Sequence, residues 1–251
     1  MSILELKNVT KAFGGVRALD GMSLGFERGR ITGLIGPNGA GKTTLFNLIS
    51  GFLSPDRGEI NYAGKSLKGL APWAIARAGI GRLFQDVRVF GRMTALDNIM
   101  ASFAGQKGES ALLSIIARRM VFRQEERFAE RARALLDFVG LAESATSLAD
   151  DLSYGQQKLL AIARLLAADA EVLLLDEPTA GVNPHRVKAL LDVVRHLARE
   201  GKTVVIIEHN LSVVIEVADW VYFMDEGRVA SFGMPGEVLA DPEVRAAYIG
   251  L

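Results

Sequence analysis

The chain has 251 residues, 49% of them hydrophobic, and its 29 basic side chains balance 29 acidic ones. This length and composition can form one α/β domain with a large core, and they leave room for a smaller subdomain. A net charge of zero and the lack of a basic stripe argue against nucleic acid as the main partner. Because the sequence contains no cysteine, disulfide bonds, thiol catalysis and cysteine-based zinc sites are excluded.

No apolar run approaches the roughly 18 residues that a membrane-spanning helix needs. The stretch from residue 158 to residue 176 is the most apolar, but charged side chains interrupt it at Lys158, Arg164, Asp169 and Glu171. The first residues also lack the basic and then apolar pattern of a signal peptide. We therefore expect a cytoplasmic protein.

Short strands are predicted in the first part of the chain, at residues 3–9, 23–26 and 31–35. A helix follows and ends at Gly51, which is well placed to terminate it. Residues 58–67 have the pattern of a hairpin around Ala63 and Gly64. From about residue 70 to residue 165 the pattern turns helical. The segment that begins at residues 112–116 continues into charges of alternating sign, which predicts a solvated helix face that ends at Gly140.

The second half of the chain returns to strands. Residues 172–175 and 203–207 are short, continuous apolar runs, as expected for parallel strands that are buried on both faces. A helical pattern lies between them, with Asn183 as N-cap and Pro184 at the first helical position. This order predicts a parallel sheet with right-handed crossovers. A hairpin and a short helix near residues 244–249 are predicted at the end of the chain.

Between the predicted strand at residues 31–35 and the helix after it lies the pattern of a phosphate-binding loop: Gly36, Pro37, Asn38, Gly39, Ala40, Gly41, Lys42, Thr43 and Thr44. Its glycines let the backbone turn its N–H groups towards a phosphate at a helix N-terminus. Lys42 would reach the β- and γ-phosphates, and the Thr43 hydroxyl would ligate Mg²⁺. The loop therefore predicts a site for a nucleoside triphosphate with Mg²⁺.

Two carboxylates directly follow the predicted strand at residues 172–175. The C-terminal end of a buried parallel strand borders the crevice in which α/β folds bind ligands. Asp176 is placed there to hold Mg²⁺ opposite Thr43, directly or through water. A second carboxylate beside it is costly because the two charges repel. Glu177 is therefore the candidate general base for the attacking water.

Ser153 opens an amphipathic helical pattern, and Gly155 and Gln156 lie in its first turn. Ser153 and the free N–H groups of this helix start would form an anion site. In isolation the pattern is no more than an N-capped helix, so its meaning depends on the motifs around it.

The order and spacing of these motifs resemble the ATP-binding cassette (ABC) family of transport ATPases. A phosphate loop comes first, then a Ser-x-Gly-Gln helix start, and then an Asp-Glu pair at a strand end. The resemblance runs from Phe13 to the C-terminal tail. It implies one ABC ATPase domain over residues 1–251, with an α/β P-loop NTPase fold and a mainly parallel core sheet. Residues 1–85 and 166–251 would form a RecA-like core with an N-terminal antiparallel β part, and about 86–165 an inserted helical subdomain.

The resemblance implies three further site residues. Phe13 falls where the family stacks an aromatic ring on adenine. Gln85 looks like the family's glutamine that contacts Mg²⁺ and water, and an amide can both accept from water and ligate a hard cation. His209 directly follows a predicted strand, as the family's switch histidine does, and an imidazole there can donate to the γ-phosphate. Gln85 and His209 thus join Glu177 as candidate catalytic residues.

Two positions depart from the commonest family pattern. Tyr154 occupies the second position of the Ser-x-Gly-Gln segment, the family's signature, where glycine is more common. The tyrosine should leave the helix start intact but crowd the approach to the γ-phosphate. Asn183 replaces the usual aspartate, and because Asn and Asp cap helices about equally well the local structure should survive. Because Asn183 lacks the negative charge of aspartate, any charge-dependent role of this position at an interface between two ATPase subunits is in doubt.

The resemblance also implies partners. Two ATPases, identical or sister chains, would sandwich two ATP molecules, with Lys42 and Thr43 on one side and Ser153, Gly155 and Gln156 of the second subunit on the other. Loops near residues 85–93 would pass the closing motion to transmembrane permease subunits, which would hold the protein at the inner face of the cell membrane. A substrate-binding protein would act only indirectly.

Three stretches resemble the ATPase subunits of branched-chain amino acid importers, namely residues 81–88, 180–184 and 241–250. An insertion around residues 104–125 is in keeping with one of that system's two ATPases. The prediction is an ATP-hydrolysing importer subunit for branched-chain amino acids or related small amides. Urea importer and lipopolysaccharide exporter ATPases share much of this pattern and stay open as alternatives.

A soluble cassette ATPase of DNA repair or translation is the rival class. Such proteins usually carry two cassettes or a long coiled-coil insertion, and this sequence has neither. A GTPase is disfavoured because the base-reading Asn-Lys-x-Asp motif does not occur.

Overall fold

The structure is a computed structural model that describes residues 2–106 and 118–249. The predicted helix start at residues 112–116 and part of the insertion around 104–125 lie outside the described residues. The chain divides into two compact units. The core unit comprises Met1–Gln85, Glu171–Ala180 and Val194–Leu251, and the helical unit comprises Asp86–Ala170 and Gly181–Val193. The predicted boundaries at residues 85 and 165 stay a prediction.

An antiparallel sheet of four strands opens the core unit. Its strands are β1 (Ser2–Phe13), β2 (Val16–Glu27), β4 (Arg57–Tyr62) and β5 (Lys65–Ser66), in the order β2-β1-β4-β5. The predicted hairpin around Ala63 and Gly64 is confirmed. Strand β2 is longer than the predicted residues 23–26, because it pairs with β1 along almost its whole length and so satisfies its backbone groups.

A second, six-stranded sheet is the centre of the core unit. Its strands are β3 (Ile31–Ile35), β6 (Ile80–Leu83), β7 (Val172–Asp176), β8 (Thr203–Ile207), β9 (Trp220–Asp225) and β10 (Arg228–Gly233). The order is β10-β9-β3-β8-β7-β6, and every neighbouring pair is parallel except the hairpin of β9 and β10. Each residue of β3, β7 and β8 is buried, which explains their continuous apolar sequences. The predicted mainly parallel core sheet is confirmed.

The prediction of a helical pattern from about residue 70 is wrong over its first part. Helix α2 (Pro72–Ala78) ends at Gly79, which has a positive φ of 115°, and strand β6 follows at once. Strand β6 is an edge strand of four residues, too short to show a period in the sequence. It is held in place by parallel pairing with β7, a partner about ninety residues away along the chain.

Helices and the antiparallel sheet cover the central sheet. One apolar cluster includes Phe26 of β2, Leu174 of β7 and Phe46 of helix α1 (Lys42–Ile49). A second cluster includes Phe223 of β9 and Val214 of helix α7 (Leu211–Val217). The short helices α8 (Pro235–Ala240) and α9 (Pro242–Ile249) end the described chain.

The helical unit contains α3 (Ala95–Met100), α4 (Arg118–Phe138) and α5 (Tyr154–Ala167), which pack against one another. Helix α4 buries Val121, Ala132 and Leu136 and leaves most of its charged side chains exposed, as predicted for a solvated face. Helix α6 (Pro184–Arg199) begins in the helical unit and ends in the core unit. Within residues 2–106 and 118–249, none of the helices combines the length and the apolarity needed to cross a membrane.

Candidate nucleotide-binding and catalytic site

The phosphate loop joins β3 to α1 in the core unit, and its backbone leaves no room for side chains at two glycines. Gly36 and Gly41 have positive φ values of 145° and 98°. A Cβ atom at Gly36 would overlap the carbonyl oxygen of Met224, and one at Gly41 would overlap the carbonyl oxygen of Ala18. The loop is therefore closely packed, and it ends at the N-terminus of α1, where free N–H groups can bind an anion.

Lys42, the first residue of α1, is buried, and its ammonium group lies inside the loop. Its Nζ atom donates hydrogen bonds to the carbonyl oxygens of Gly36 at 2.7 Å and Pro37 at 2.9 Å. Burial lowers the pKa of Lys42, and the negative charges of Glu177 and Asp176 act in the opposite direction. The next residue, Thr43, is exposed, so its hydroxyl is accessible to a ligand.

Asp176 is the last residue of β7, and its carboxylate is buried. Its Oδ2 atom accepts a hydrogen bond from Nη2 of Arg82 on β6 at 3.0 Å. Burial raises the pKa of Asp176, whereas the hydrogen bond and the positive charge of Arg82 act to lower it. A buried carboxylate with a cationic partner is thus available at the end of the strand.

Glu177 has an unusual backbone and brings the candidate catalytic residues together. Its φ is +46°, a left-handed conformation that is rare for residues with side chains, and its N–H donates to the carbonyl of Ile207 at 2.9 Å. Its Oε2 atom accepts from Nε2 of Gln85 at 3.0 Å, and its Oε1 atom lies 3.1 Å from Nε2 of His209. Strained residues of this kind are concentrated at functional sites. The carboxylates of Asp176 and Glu177, the Gln85 amide and the His209 imidazole therefore lie at one edge of the sheet.

The candidate adenine platform lies at the end of β1. Phe13 is 46% exposed, and the ammonium group of Lys11 lies 5.6 Å from the centroid of its ring. Lys11 itself is held by Asp56 at 2.8 Å. The ring therefore offers an accessible face for stacking next to a fixed positive charge.

The Ser-x-Gly-Gln segment forms the N-terminus of α5 in the helical unit. Ser153 is the N-cap, and Oε1 of Gln156 accepts hydrogen bonds from its N–H at 3.0 Å and its hydroxyl at 2.8 Å. These two bonds join the N-cap to the first turn and orient the helix start. A Cβ atom at Gly155 would lie only 3.0 Å from Val182, so this glycine allows a close approach of the segment that precedes α6.

The two departures from the family pattern lie in the same unit. The ring of Tyr154 lies against Gly181, where an added Cβ would be 3.1 Å from the ring, and Nζ of the buried Lys158 lies 5.0 Å from the ring centroid. The predicted crowding of the γ-phosphate by Tyr154 stays a prediction. Asn183 caps α6 as predicted, since its Oδ1 atom accepts from the N–H of His185 at 3.0 Å.

Residues 19–180 match the sequence profile of the ABC transporter family. The chain belongs to this family. It is 38% identical to the probable branched-chain amino acid transport ATP-binding protein LivG of Archaeoglobus fulgidus, over 100% of this chain and 96% of that protein. It is also 38% identical to the branched-chain amino acid transport ATP-binding protein BraF of Pseudomonas aeruginosa, over 99% of this chain and 98% of that protein.

Solved structures of ABC cassettes have the same fold. A nucleotide-free cassette of an ABC transporter is 36% identical and superposes with a TM-score of 0.85, with both chains covered completely. An ADP-bound conformation of such a cassette gives the same values. A dimeric bacterial ABC transporter cassette is 26% identical with a TM-score of 0.76, over 92% of this chain and 98% of that one. The chain is thus a nucleotide-binding ABC ATPase with a P-loop NTPase fold, and ATP hydrolysis is its reaction.

Two buried charged residues of this ABC ATPase were not predicted from its sequence. Arg82 contacts Asp176, and Glu208 accepts hydrogen bonds through Oε1 from the N–H of Thr179 at 2.9 Å and its hydroxyl at 2.7 Å. Glu208 thereby fixes the segment after Glu177 to the end of β8. For Glu208 the available signal was its position directly after the apolar strand pattern at residues 203–207, whereas Arg82 lies on a strand too short to show a pattern.

Proposed function

We propose that the chain is the ATP-hydrolysing subunit of an importer for branched-chain amino acids or related small amides. The observation that carries the proposed substrate is the full-length similarity to ATP-binding proteins named for branched-chain amino acid transport. The observation that carries the proposed mechanism is the meeting of Gln85 and His209 at the carboxylate of Glu177.

Phosphate binding would involve an exchange of hydrogen bonds at Lys42. Its ammonium group donates to two loop carbonyls, those of Gly36 and Pro37. An entering β- or γ-phosphate would take over these bonds, while the loop N–H groups and the α1 N-terminus bind the phosphate oxygens. Phe13 would stack on the adenine ring, with Asn38, Gly39, Ala40 and Thr44 completing the loop around the phosphates.

The residues at the site fit Mg²⁺ that arrives together with the nucleotide. Thr43 offers a hydroxyl, Asp176 a carboxylate and Gln85 an amide oxygen, and hard oxygen donors of this kind suit Mg²⁺. In residues 2–106 and 118–249 there is no group of three or more His, Cys, Asp or Glu that could hold a metal alone. This suits a cation that is held largely by substrate phosphates. When bound, Mg²⁺ would neutralise charge that develops on the phosphates.

Glu177 would act as the general base. Its carboxylate would accept a proton from the attacking water, and the His209 imidazole would donate a hydrogen bond to the γ-phosphate oxygens. Gln85 donates to the same carboxylate and would help to orient the water. A left-handed backbone at Glu177 places these groups together without a long loop.

One chain would supply half of each catalytic site. Ser153 is exposed at the N-cap of α5, and Gly155 and Gln156 follow it in the first turn. This helix start would bind the γ-phosphate of ATP held by a second ABC ATPase. A related cassette of known structure is dimeric. The second subunit would be an identical or a sister chain. Transmembrane permease subunits would bind the dimer and hold it peripherally at the inner face of the cell membrane.

Transport tests this proposal directly. The chain, co-expressed with the permease subunits of a branched-chain amino acid importer from the same organism, should copurify with them and support ATP-dependent uptake of labelled leucine into proteoliposomes that contain the binding protein. A complex carrying Glu177→Gln should bind ATP and take up none. Uptake of urea but not leucine, export of lipopolysaccharide, or stimulation of the ATPase by DNA or ribosomes without any permease would each refute the proposed substrate.

A further inference from the structure

Arg82 is a buried cation that none of the proposed steps uses. Its side chain is 6% exposed, and Nη2 donates to Oδ2 of Asp176 at 3.0 Å. The other terminal nitrogen, Nη1, donates to Oδ1 of Asn47 at 2.7 Å and to Oγ of Ser50 at 3.2 Å. One guanidinium group therefore contacts three side chains on two different elements.

Aromatic rings hold the plane of this guanidinium. Its central carbon lies 4.7 Å from the ring centroid of Phe84 and 5.6 Å from that of Phe46. Lysine cannot replace a planar, forked cation that contacts aromatic rings, because an ammonium group is a compact point charge without the fork. The orientation of Arg82 is thus determined by packing as well as by its hydrogen bonds.

The three elements that meet at Arg82 are those that carry the candidate metal ligands. Asn47 lies one turn after Thr43 on α1, and Asp176 ends β7. Arg82 itself lies on β6, three residues before Gln85. We infer that Arg82 is a positioning residue for the metal site: it fixes the direction of the Asp176 carboxylate and the spacing of the three ligand-bearing elements. This inference rests on the proposed Mg²⁺ ligands.

A residue that orients a metal ligand acts on metal affinity, whereas an ordinary buried ion pair acts on stability alone. Loss of such outer contacts typically weakens metal binding by about 10–100-fold. Nucleotide binding without metal should depend on Lys42 and the loop N–H groups and should be nearly independent of Arg82. The two measurements together separate the positioning role from a general loss of structure.

The test uses the full chain and two binding measurements. In the first measurement, a fluorescent ATP analogue is titrated into the protein in EDTA. In the second, Mn²⁺ is titrated into a separate, EDTA-free sample of the nucleotide-bound protein and followed by electron paramagnetic resonance. Arg82→Lys should bind the nucleotide in EDTA within about twofold of the wild type, and its Kd for Mn²⁺ should rise about tenfold. Arg195→Lys is the matched control, because it alters an arginine ion pair, with Glu216 at 2.6 Å, elsewhere in the core unit. Its Kd for Mn²⁺ should be unchanged.

A second variant covers the case in which Arg82→Lys does not fold. Asn47→Leu removes one acceptor of Arg82 while it keeps the branching of the side chain and introduces a better helix former, so it should fold, and its Kd for Mn²⁺ should rise several-fold. Wild-type Mn²⁺ affinity in folded Arg82→Lys, or in Asn47→Leu, would overturn the inference. Failure of the wild-type chain to bind the nucleotide at all would instead refute the proposed function.

Discussion

Two regions of the molecule are stabilised by different kinds of contact. One is the catalytic edge of the core unit, which contains Arg82, Gln85, Asp176, Glu177 and His209. The other is the signature end of α5 in the helical unit, which contains Ser153, Gly155 and Gln156. At the catalytic edge, the side chains that contact one another come from distant parts of the chain: the buried pair Arg82 and Asp176 are 94 residues apart, and Gln85 and Glu177 are 92 apart. At the signature end, Ser153 is fixed by Gln156, three residues later. The catalytic edge therefore depends on the complete fold of its unit, whereas the signature end needs little more than one helix.

This contrast has a functional meaning. Groups that carry out proton transfer must be held at fixed distances, which requires a rigid and buried framework. Groups that bind a phosphate presented by another subunit need to be exposed and correctly oriented, and a capped helix N-terminus provides both. Variants in the two regions should therefore fail in different ways.

The largest effect is expected at the catalytic edge. Glu177→Gln removes the base but keeps the volume and the acceptor for Gln85, so ATP hydrolysis should fall by about 10²–10⁴-fold. Binding of a fluorescent ATP analogue should change little. The rate of hydrolysis is measured by steady-state phosphate release, and binding of the analogue is measured by fluorescence titration. Glu226→Gln is the control, since Glu226 also has a left-handed backbone, with φ of +43°, and lies outside the candidate site. A wild-type rate in Glu177→Gln would remove Glu177 from the mechanism.

The second largest effect is expected on stability, because the backbone of Glu177 is strained. Glu177 has φ of +46°, a conformation that glycine adopts freely and other residues adopt at a cost of about 1–2 kcal/mol. Glu177→Gly and Glu177→Ala both lose the carboxylate, so their difference isolates the backbone. We expect Glu177→Gly to be more stable than Glu177→Ala by ~1 kcal/mol in urea unfolding, with both inactive. Equal stabilities would show that no strain is stored here.

The signature end should respond through assembly. Ser153→Ala removes an N-cap and should cost ~1 kcal/mol of stability. It should also weaken the ATP-dependent dimer, measured by analytical ultracentrifugation with hydrolysis blocked, while the monomer still binds ATP. Thr94→Ala is the matched control, because Thr94 caps α3 in the same unit by accepting from the N–H of Asp97 at 3.1 Å. Equal loss of dimer in both variants would mean that only stability is involved.

The smallest expected effect is on the stability of the core unit at low pH. Hydrogen bonds lower the pKa of three aspartates below the ordinary value of 3.8. The main hydrogen bond comes from Arg228 to Asp20, from Lys11 to Asp56, and from Ser231 to Asp241. A lowered folded-state pKa adds stability above the unfolded value, and this is lost as pH falls through the folded value. All three carboxyls lie in the core unit. Asp20→Asn should lower Tm slightly at pH 6, and this difference should shrink as the pH falls below 3.8. A larger loss at the lower pH would reverse the sign of this argument.

The sequence predicts local features well and distant contacts poorly. The phosphate loop and the cap at Ser153 are contiguous patterns whose backbone requirements appear directly in residue type. Strand β6 was predicted as part of a helical region, because four residues show no period and its partner β7 is far away in sequence. The partners of Arg82 and Glu208 were not predictable for the same reason, since their hydrogen bonds exist only in the folded sheet.

The bonds of Lys42 inside the phosphate loop have a consequence for selectivity. The ammonium group has three N–H donors, and the carbonyls of Gly36 and Pro37 accept from two of them, so an anion that enters the loop competes with these carbonyls. Inorganic phosphate gains few other contacts, whereas a nucleotide adds its second and third phosphates and its base. We therefore expect product inhibition by free phosphate to be weak compared with inhibition by ADP.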